Sequence, residues 1–198
     1  MNDRHRLSAI RFAFGVGFNN FATGRGTMEE LTRRAKRSLR DVESLTWYGA
    51  TGNFAIHSGL SDGCLAETLH RGFKRRFAIV SRAEIDQVVS TCDAWQRPPH
   101  PLMTRWTPGV AFRVDGRSPS VQLRRTERAR FRLVSDHAVA VLKLDIETAT
   151  GQLDPARRQG GWGAISADIA RQVGGQGVWT ARSLRAVLGL RAKADSYS

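Results

Sequence analysis

The stretch Leu45-Thr46-Trp47-Tyr48-Gly49-Ala50-Thr51-Gly52-Asn53-Phe54-Ala55-Ile56-His57-Ser58 decides how this 198-residue chain is read. Two short apolar runs meet at Thr51-Gly52-Asn53, and Gly-Asn is a pair that lets a chain reverse tightly. The stretch therefore reads as strand, turn, strand. Upstream, Ile10, Phe12, Phe14 and Val16 alternate with Arg11, Ala13 and Gly15, the period of a strand with its large residues turned to a core and a small opposite face. Thr27 and Glu30 have capping-box spacing for a helix with Met28, Leu31, Ala35 and Leu39 on one side and Arg33, Lys36, Arg37 and Arg40 on the other.

Downstream, Asp62 is expected to cap a second helix that buries Leu65, Ala66, Leu69 and Phe73. Phe77 to Val80 reads as a strand, and Ser81 with Glu84 opens a third helix carrying Ile85, Val88, Val89 and Cys92. The order βαββαβ implies an α+β fold of ferredoxin-like type, with two helices on an antiparallel four-stranded sheet. Pro98, Pro99, Pro101 and Pro108 then interrupt regular structure. The expected division is a ferredoxin-like half over 1–96, a Pro-rich connection over 97–109, and a second α+β half over 110–198.

In that second half Val110 to Val114, Ser120 to Leu123, Ala129 to Val134 and Ala138 to Ile146 read as antiparallel strands. Two C-terminal helices follow. One carries Ile165, Ile169 and Val173 and stops at Gly174-Gly175; the other is capped by Thr180 and carries Leu184, Val187, Leu188 and Leu190. The sequence shows no internal repeat.

Composition narrows the function classes. With 41% hydrophobic and 25% charged residues the chain is globular, not disordered. Lys+Arg 31 against Asp+Glu 18 gives a net charge of +13, almost all of it arginine, so the field favours polyanions. No run reaches the length of a membrane span, and the basic, briefly apolar N-terminus reads as a first strand, so a cytoplasmic protein is expected. Cys64 and Cys92 lie in helical apolar patterns and read as buried free thiols; no cysteine and histidine spacing suggests a metal. Neither a cofactor nor a catalytic residue is indicated, which leans against an enzyme, and oligomeric state is not readable.

Several motifs in order resemble the bacterial domain of unknown function 1697. They are Val16-Gly17-Phe18-Asn19 before Met28-Glu29-Glu30-Leu31, Trp47 to Ile56 with its Thr-Gly-Asn turn, Ala78 to Ile85, and Thr180 to Leu190. The resemblance covers most of 9–92 and 160–192 and implies no activity or cofactor. The chain departs from the family pattern at Val16, Phe21-Ala22, Gly163-Ala164 and Ser183-Leu184-Arg185, as a divergent member would.

Two sets of residues carry the functional expectation. Arg33, Arg37 and Arg40 on the first helix, with Arg124, Arg125, Arg128, Arg130 and Arg132, could bind nucleic acid through phosphate, since arginine forks match phosphate oxygens in pairs. Arg128, Arg130 and Arg132 alternate along a strand and are expected on one exposed face. The alternative is an enzyme or small-anion binder with Asn19, Asn53, Thr180 and Arg182 as its polar groups, near the loop holding Gly24-Arg25-Gly26. A third reading is a module that docks an acidic protein. The glycines are also explained by turn geometry, and arginines on a helix by a solvated face.

Overall fold

The hairpin forms where the sequence places it. In the computed structural model, which describes residues 9–17, 27–35, 38–49, 51–96, 104–114, 123–146, 161–173 and 178–196, β2 (Ser44–Trp47) pairs antiparallel with β3 (Asn53–Ser58), Trp47 opposite Phe54. Gly49 and Gly52 between them take φ of 67° and 68°, a region that side chains disfavour. β3 pairs in turn with β1 (Ala9–Gly15), and β1 with β4 (Phe77–Ser81), so the sheet order is β2-β3-β1-β4, all antiparallel. That is the ferredoxin-like arrangement. Helices α1 (Met28–Ala35) and α2 (Asp62–Phe73) bury one face, where Ala13, Phe54, Ile56 and Phe77 meet Met28, Ala35, Leu65 and Leu69. The expected capping box at α1 is present, Thr27 N–H donating to Glu30 Oε2 at 2.9 Å and Glu30 N–H to Thr27 Oγ1 at 3.3 Å.

The chain divides into two compact units, Met1–Ala83 with Ala186–Ser198, and Glu84–Arg185. The divisions fall near the starts of α3 (Arg82–Ala94) and α5 (Leu184–Asp195), each of which directly follows a strand of the other unit. Helix α5 is tied to the first sheet by Lys193 Nζ, which donates to the Trp47 carbonyl at 2.9 Å, and by Asp195, which pairs with Arg82 at 2.5 Å. The face of the first sheet away from α1 and α2 is buried as well, Phe12 and Phe14 completely.

In the second unit β5 (Thr104–Arg113), β6 (Ala129–Ser135), β7 (Ala138–Ile146) and β8 (Trp179–Ser183) form an antiparallel sheet of order β6-β7-β5-β8. Helix α4 (Trp162–Gln172) covers one face through Ile165 and Ile169 against Ala111, Val139, Val141 and Ala181. Helix α3 is fastened to the sheet by Cys92, whose thiol donates to the Gly109 carbonyl at 3.7 Å, and by Gln87 Nε2, which donates to the Val134 carbonyl at 3.3 Å.

The two sheets are the same object twice, which the sequence did not reveal. Ala13 lies between Phe54 and Ile79, and Ala111 between Val139 and Ala181; stepping outward, the ladders that flank β1 and β5 keep register. Phe14 thus corresponds to Phe112, Ala55 to Ala140 and Ser81 to Ser183, while Val80 corresponds to Arg182 and Trp47 to Leu133. So few identities survive because each position asks only for a residue that fits a buried pleat. In the helices, Leu65, Thr68, Leu69 and Arg71 of α2 match Ile165, Asp168, Ile169 and Arg171 of α4.

Several expectations are corrected. Thr180 does not cap a helix; it lies inside β8, opposite Phe112, and α5 starts at Leu184. Ser61, not Asp62, caps α2, its Oγ accepting from Cys64 N–H at 3.4 Å. Cys64 is exposed, because the first turn of α2 turns outward until Leu65. Regular structure resumes at Thr104, so Pro108 sits within β5; β8 begins to pair only at Gly109, and Pro108 is on an open strand edge where its missing N–H is tolerated. Leu123 is outside any strand, and the Gly174-Gly175 stop lies outside the described residues. The repeat described above is one of strand order and register, and it leaves no repeat legible in the sequence.

Candidate functional site

The arginines expected to form one row are held in three different ways. Arg128 precedes β6, and its Nε lies 3.4 Å from Oδ2 of the buried Asp168 on α4. Arg130 and Arg132 lie within β6, an edge strand, where the guanidinium of Arg130 is 5.3 Å from the Trp106 ring centroid and that of Arg132 is 4.9 Å from that of Trp95. The expectation of three guanidinium groups along one exposed face is therefore corrected: Arg132 is exposed, Arg130 and Arg128 are partly buried, and a carboxylate or an indole sits against each. A cation over an indole is stabilised by the ring quadrupole, by about 0.5–1 kcal/mol at exposed sites, and its planar fork keeps its edges for other acceptors. Like-charge repulsion along β6 is thus offset residue by residue.

Arg124 and Arg125 are exposed on the approach to β6, and the Arg124 N–H donates to Gln172 Oε1 at 2.6 Å. Arg33 and Arg40 belong to the first unit, both exposed, and line an open cleft of about 860 Å³ with Thr32, Leu39, Glu43 and Leu45. Arg37 lies outside the described residues. Trp95 and Trp106 were missed by sequence reasoning. Each is remote in sequence from the arginine it supports, so no local spacing marks the pairing.

Of the alternative set, Asn19 lies outside the described residues. Asn53 is buried in the first unit, and its Nδ2 donates to the Tyr48 carbonyl at 3.2 Å and to Thr51 Oγ1 at 2.9 Å, so its side chain fastens the hairpin turn. Thr180 and Arg182 are together on β8, Arg182 Nη1 donating to Thr180 Oγ1 at 2.7 Å and to the Ala181 carbonyl at 2.8 Å. Burial lowers the Arg182 pKa to about 10, because removal from water penalises the charged guanidinium. A cation has replaced the valine that the repeat places in the first unit.

A second polar group is buried on β7, where Lys143 is paired with Asp145 and Asp145 Oδ2 accepts from Thr107 Oγ1 at 2.5 Å. Trp162 lies over Lys143, 5.8 Å from the ammonium. Among the described residues no three His, Cys, Asp or Glu side chains are grouped as metal ligands would be, and no helix is long and apolar enough to cross a membrane.

No protein-family model matches the chain, and no curated protein matches it. Among solved structures it is similar to the conserved bacterial protein SP0830 from Streptococcus pneumoniae, with 13% identity and a TM-score of 0.62 over 96% of this chain and 99% of that one. At that identity the likeness establishes the fold alone: a two-sheet α+β architecture shared with a conserved bacterial protein along nearly its whole length.

Proposed function

We propose that this protein binds single-stranded nucleic acid in the cytoplasm, through phosphates and with little base readout, along the β6 edge of the second sheet. The observation that carries the reading is the pair of stacks, Arg130 on Trp106 and Arg132 on Trp95, with Arg124 and Arg125 exposed nearby. A guanidinium already held against an indole loses less freedom when it takes a phosphate, and basic grooves beside aromatic rings are how strands without sequence preference are held. The net charge of +13 supplies the attractive field. Arg33 and Arg40, in the cleft of the first unit, are secondary contacts in this reading, with Arg37. The motif resemblance adds the reading of a divergent member of the domain of unknown function 1697, which carries no activity with it.

Fluorescence anisotropy with labelled single-stranded RNA, single-stranded DNA and duplex DNA at several salt concentrations tests it. Micromolar or tighter binding to single strands near physiological salt, with log affinity falling linearly with log salt, is the expected result. Binding that vanishes by about 150 mM salt would mean that the charge is generic. A second reading is favoured by one observation, the partly buried Arg182 beside Thr180: a small carboxylated or phosphorylated molecule bound there would stabilise the fold selectively.

A further inference from the structure

The first and second units differ at one place in a way that leaves a cavity. In the first unit α1 packs beside α2, and Gly72 allows it: a Cβ at position 72 would stand 3.1 Å from that of Ala35. The second unit has no counterpart of α1 among the described residues, and the position matching Gly72 on α4 is Gln172. Beside it is a cavity of about 300 Å³ lined by Thr126, Glu127, Arg128, Asp168, Arg171 and Gln172.

The polar groups of this cavity are arranged for an anion. Asp168 is buried, and its two oxygens are divided between the two guanidinium groups, Oδ1 taking Arg171 and Oδ2 taking Arg128. Thr126 Oγ1 also donates to Oδ2, at 3.4 Å. One carboxylate thus orients two arginines while each spends a single nitrogen on it, and the pair keeps a net positive charge. The third donor is Gln172. Its Oε1 is fixed by the Arg124 N–H at 2.6 Å, which fixes the sense of the carboxamide, and its Nε2 is buried with no hydrogen-bond acceptor among the described residues. Buried amide donors are nearly always paired, so this one is suited to an acceptor that arrives with a ligand. Glu127 in the lining is exposed to solvent, which screens its charge, and Arg124 and Arg125, also exposed, precede it in the sequence.

The geometry points to a binding site for one phosphomonoester group, held by Arg128, Arg171 and the Gln172 amide with Asp168 as the positioning carboxylate. A tetrahedral dianion matches a net positive pair of forks and a neutral donor better than a planar carboxylate does, since it offers three terminal oxygens to three separate groups. The phosphate can belong to the end of a nucleic-acid strand or to a small phosphorylated molecule. The site stands independently of the strand-binding reading above.

The test is a titration of the full chain with inorganic phosphate, followed by the side-chain NH resonances of Gln172, Arg128 and Arg171 in heteronuclear NMR, with Gln172→Glu and Arg171→Ala as variants. Gln172→Glu keeps the oxygen that accepts from Arg124 while placing negative charge where Nε2 stood, and Arg171 is 72% exposed, so neither change threatens the fold. Saturable shifts of all three side chains are expected in the unaltered chain, with the affinity, read from the side chains each variant retains, weakened about tenfold or more in both. Two further arms separate the sources: an oligonucleotide with a terminal phosphate against the same oligonucleotide with a hydroxyl end, and a mononucleotide monophosphate against its nucleoside. Preference for the phosphorylated member of either pair supports the site and says which source it serves. Absence of saturable shifts with inorganic phosphate, or equal binding by wild type and Gln172→Glu, would overturn it whether or not the chain binds strands.

Discussion

Gly72 and Gln172 occupy the same place in two versions of one unit, and they show what each unit does with the space beside its sheet. In the first unit the glycine admits α1, the sheet is covered on that side, and Trp47 packs against the core. In the second the glutamine borders a polar cavity, and Leu133, which matches Trp47, is 48% exposed. The same contrast recurs along the strands. Val80 becomes the partly buried Arg182, Ala78 becomes Thr180, Ser58 becomes Lys143 and Thr68 becomes Asp168, so the second unit carries charge at positions the first fills with apolar or neutral residues. Buried charges cost stability unless well compensated. A unit that carries several where its counterpart shows they are not required by the fold is the natural seat of function.

The largest effect is expected at Gly109, which matches Arg11. A Cβ at Gly109 would overlap the Trp162 ring and the Arg182 carbonyl oxygen. Gly109→Ala is expected to cost about 3 kcal/mol, by overpacking a rigid site. Arg11→Ala, which loses a half-exposed pair with Asp62 at 2.8 Å, is expected to cost at most about 1 kcal/mol. Urea denaturation of the two variants measures the difference, and equal costs would break the contrast between a glycine required by close packing in the second unit and an exchangeable arginine at its match in the first.

Next comes the exchange at the helix ends. Gly72→Gln drives a side chain toward Ala35 and is expected to cost about 1–3 kcal/mol. Gln172→Gly opposes no packed helix among the described residues and is expected to cost about 1 kcal/mol, mostly helix propensity. Arg182→Val, which installs the residue of the first unit, is expected to have the opposite sign. Burial holds the Arg182 pKa at about 10, below its ordinary value, so the guanidinium is charged at neutral pH at the expense of folding. Its removal is expected to stabilise the protein by about 1–2 kcal/mol and to raise Tm. A fall in Tm would mean that Arg182 holds the fold together and is not a functional substitution. The smallest effect on stability is expected for Trp95→Ala, about 1 kcal/mol or less, since it removes one support from an exposed arginine.

What the sequence made legible was local or periodic. The hairpin, the capping box and the alternation of β1 each depend on neighbours a few residues apart, and these gave the α+β class and the first sheet. The repeat escaped because it resides in register, which only the folded ladders display, and because a pleat position accepts Val, Ile or Phe almost alike. Thr180 was misread because threonine serves both as a helix cap and as a strand residue, and the buried Trp179 and Ala181 around it belong to an alternation that the short stretch barely displays. The arginines of β6 were visible as a charge pattern, whereas the carboxylate and the two indoles that hold them come from α4, β5 and the end of α3, and no spacing in the sequence brings these together.

The most direct test of the account compares salt dependence after charge removal from each unit. Arg130→Ser with Arg132→Ser is set against Arg33→Ser with Arg40→Ser, each titrated by anisotropy with a labelled single strand from low to physiological salt. The β6 pair is expected to lower the slope of log affinity against log salt by about 1.4, two phosphate contacts on a single strand, and the pair from the first unit to lower it by less. An unchanged slope in the folded β6 variant, or a larger loss from the first unit, would contradict the claim that the second unit carries the binding edge.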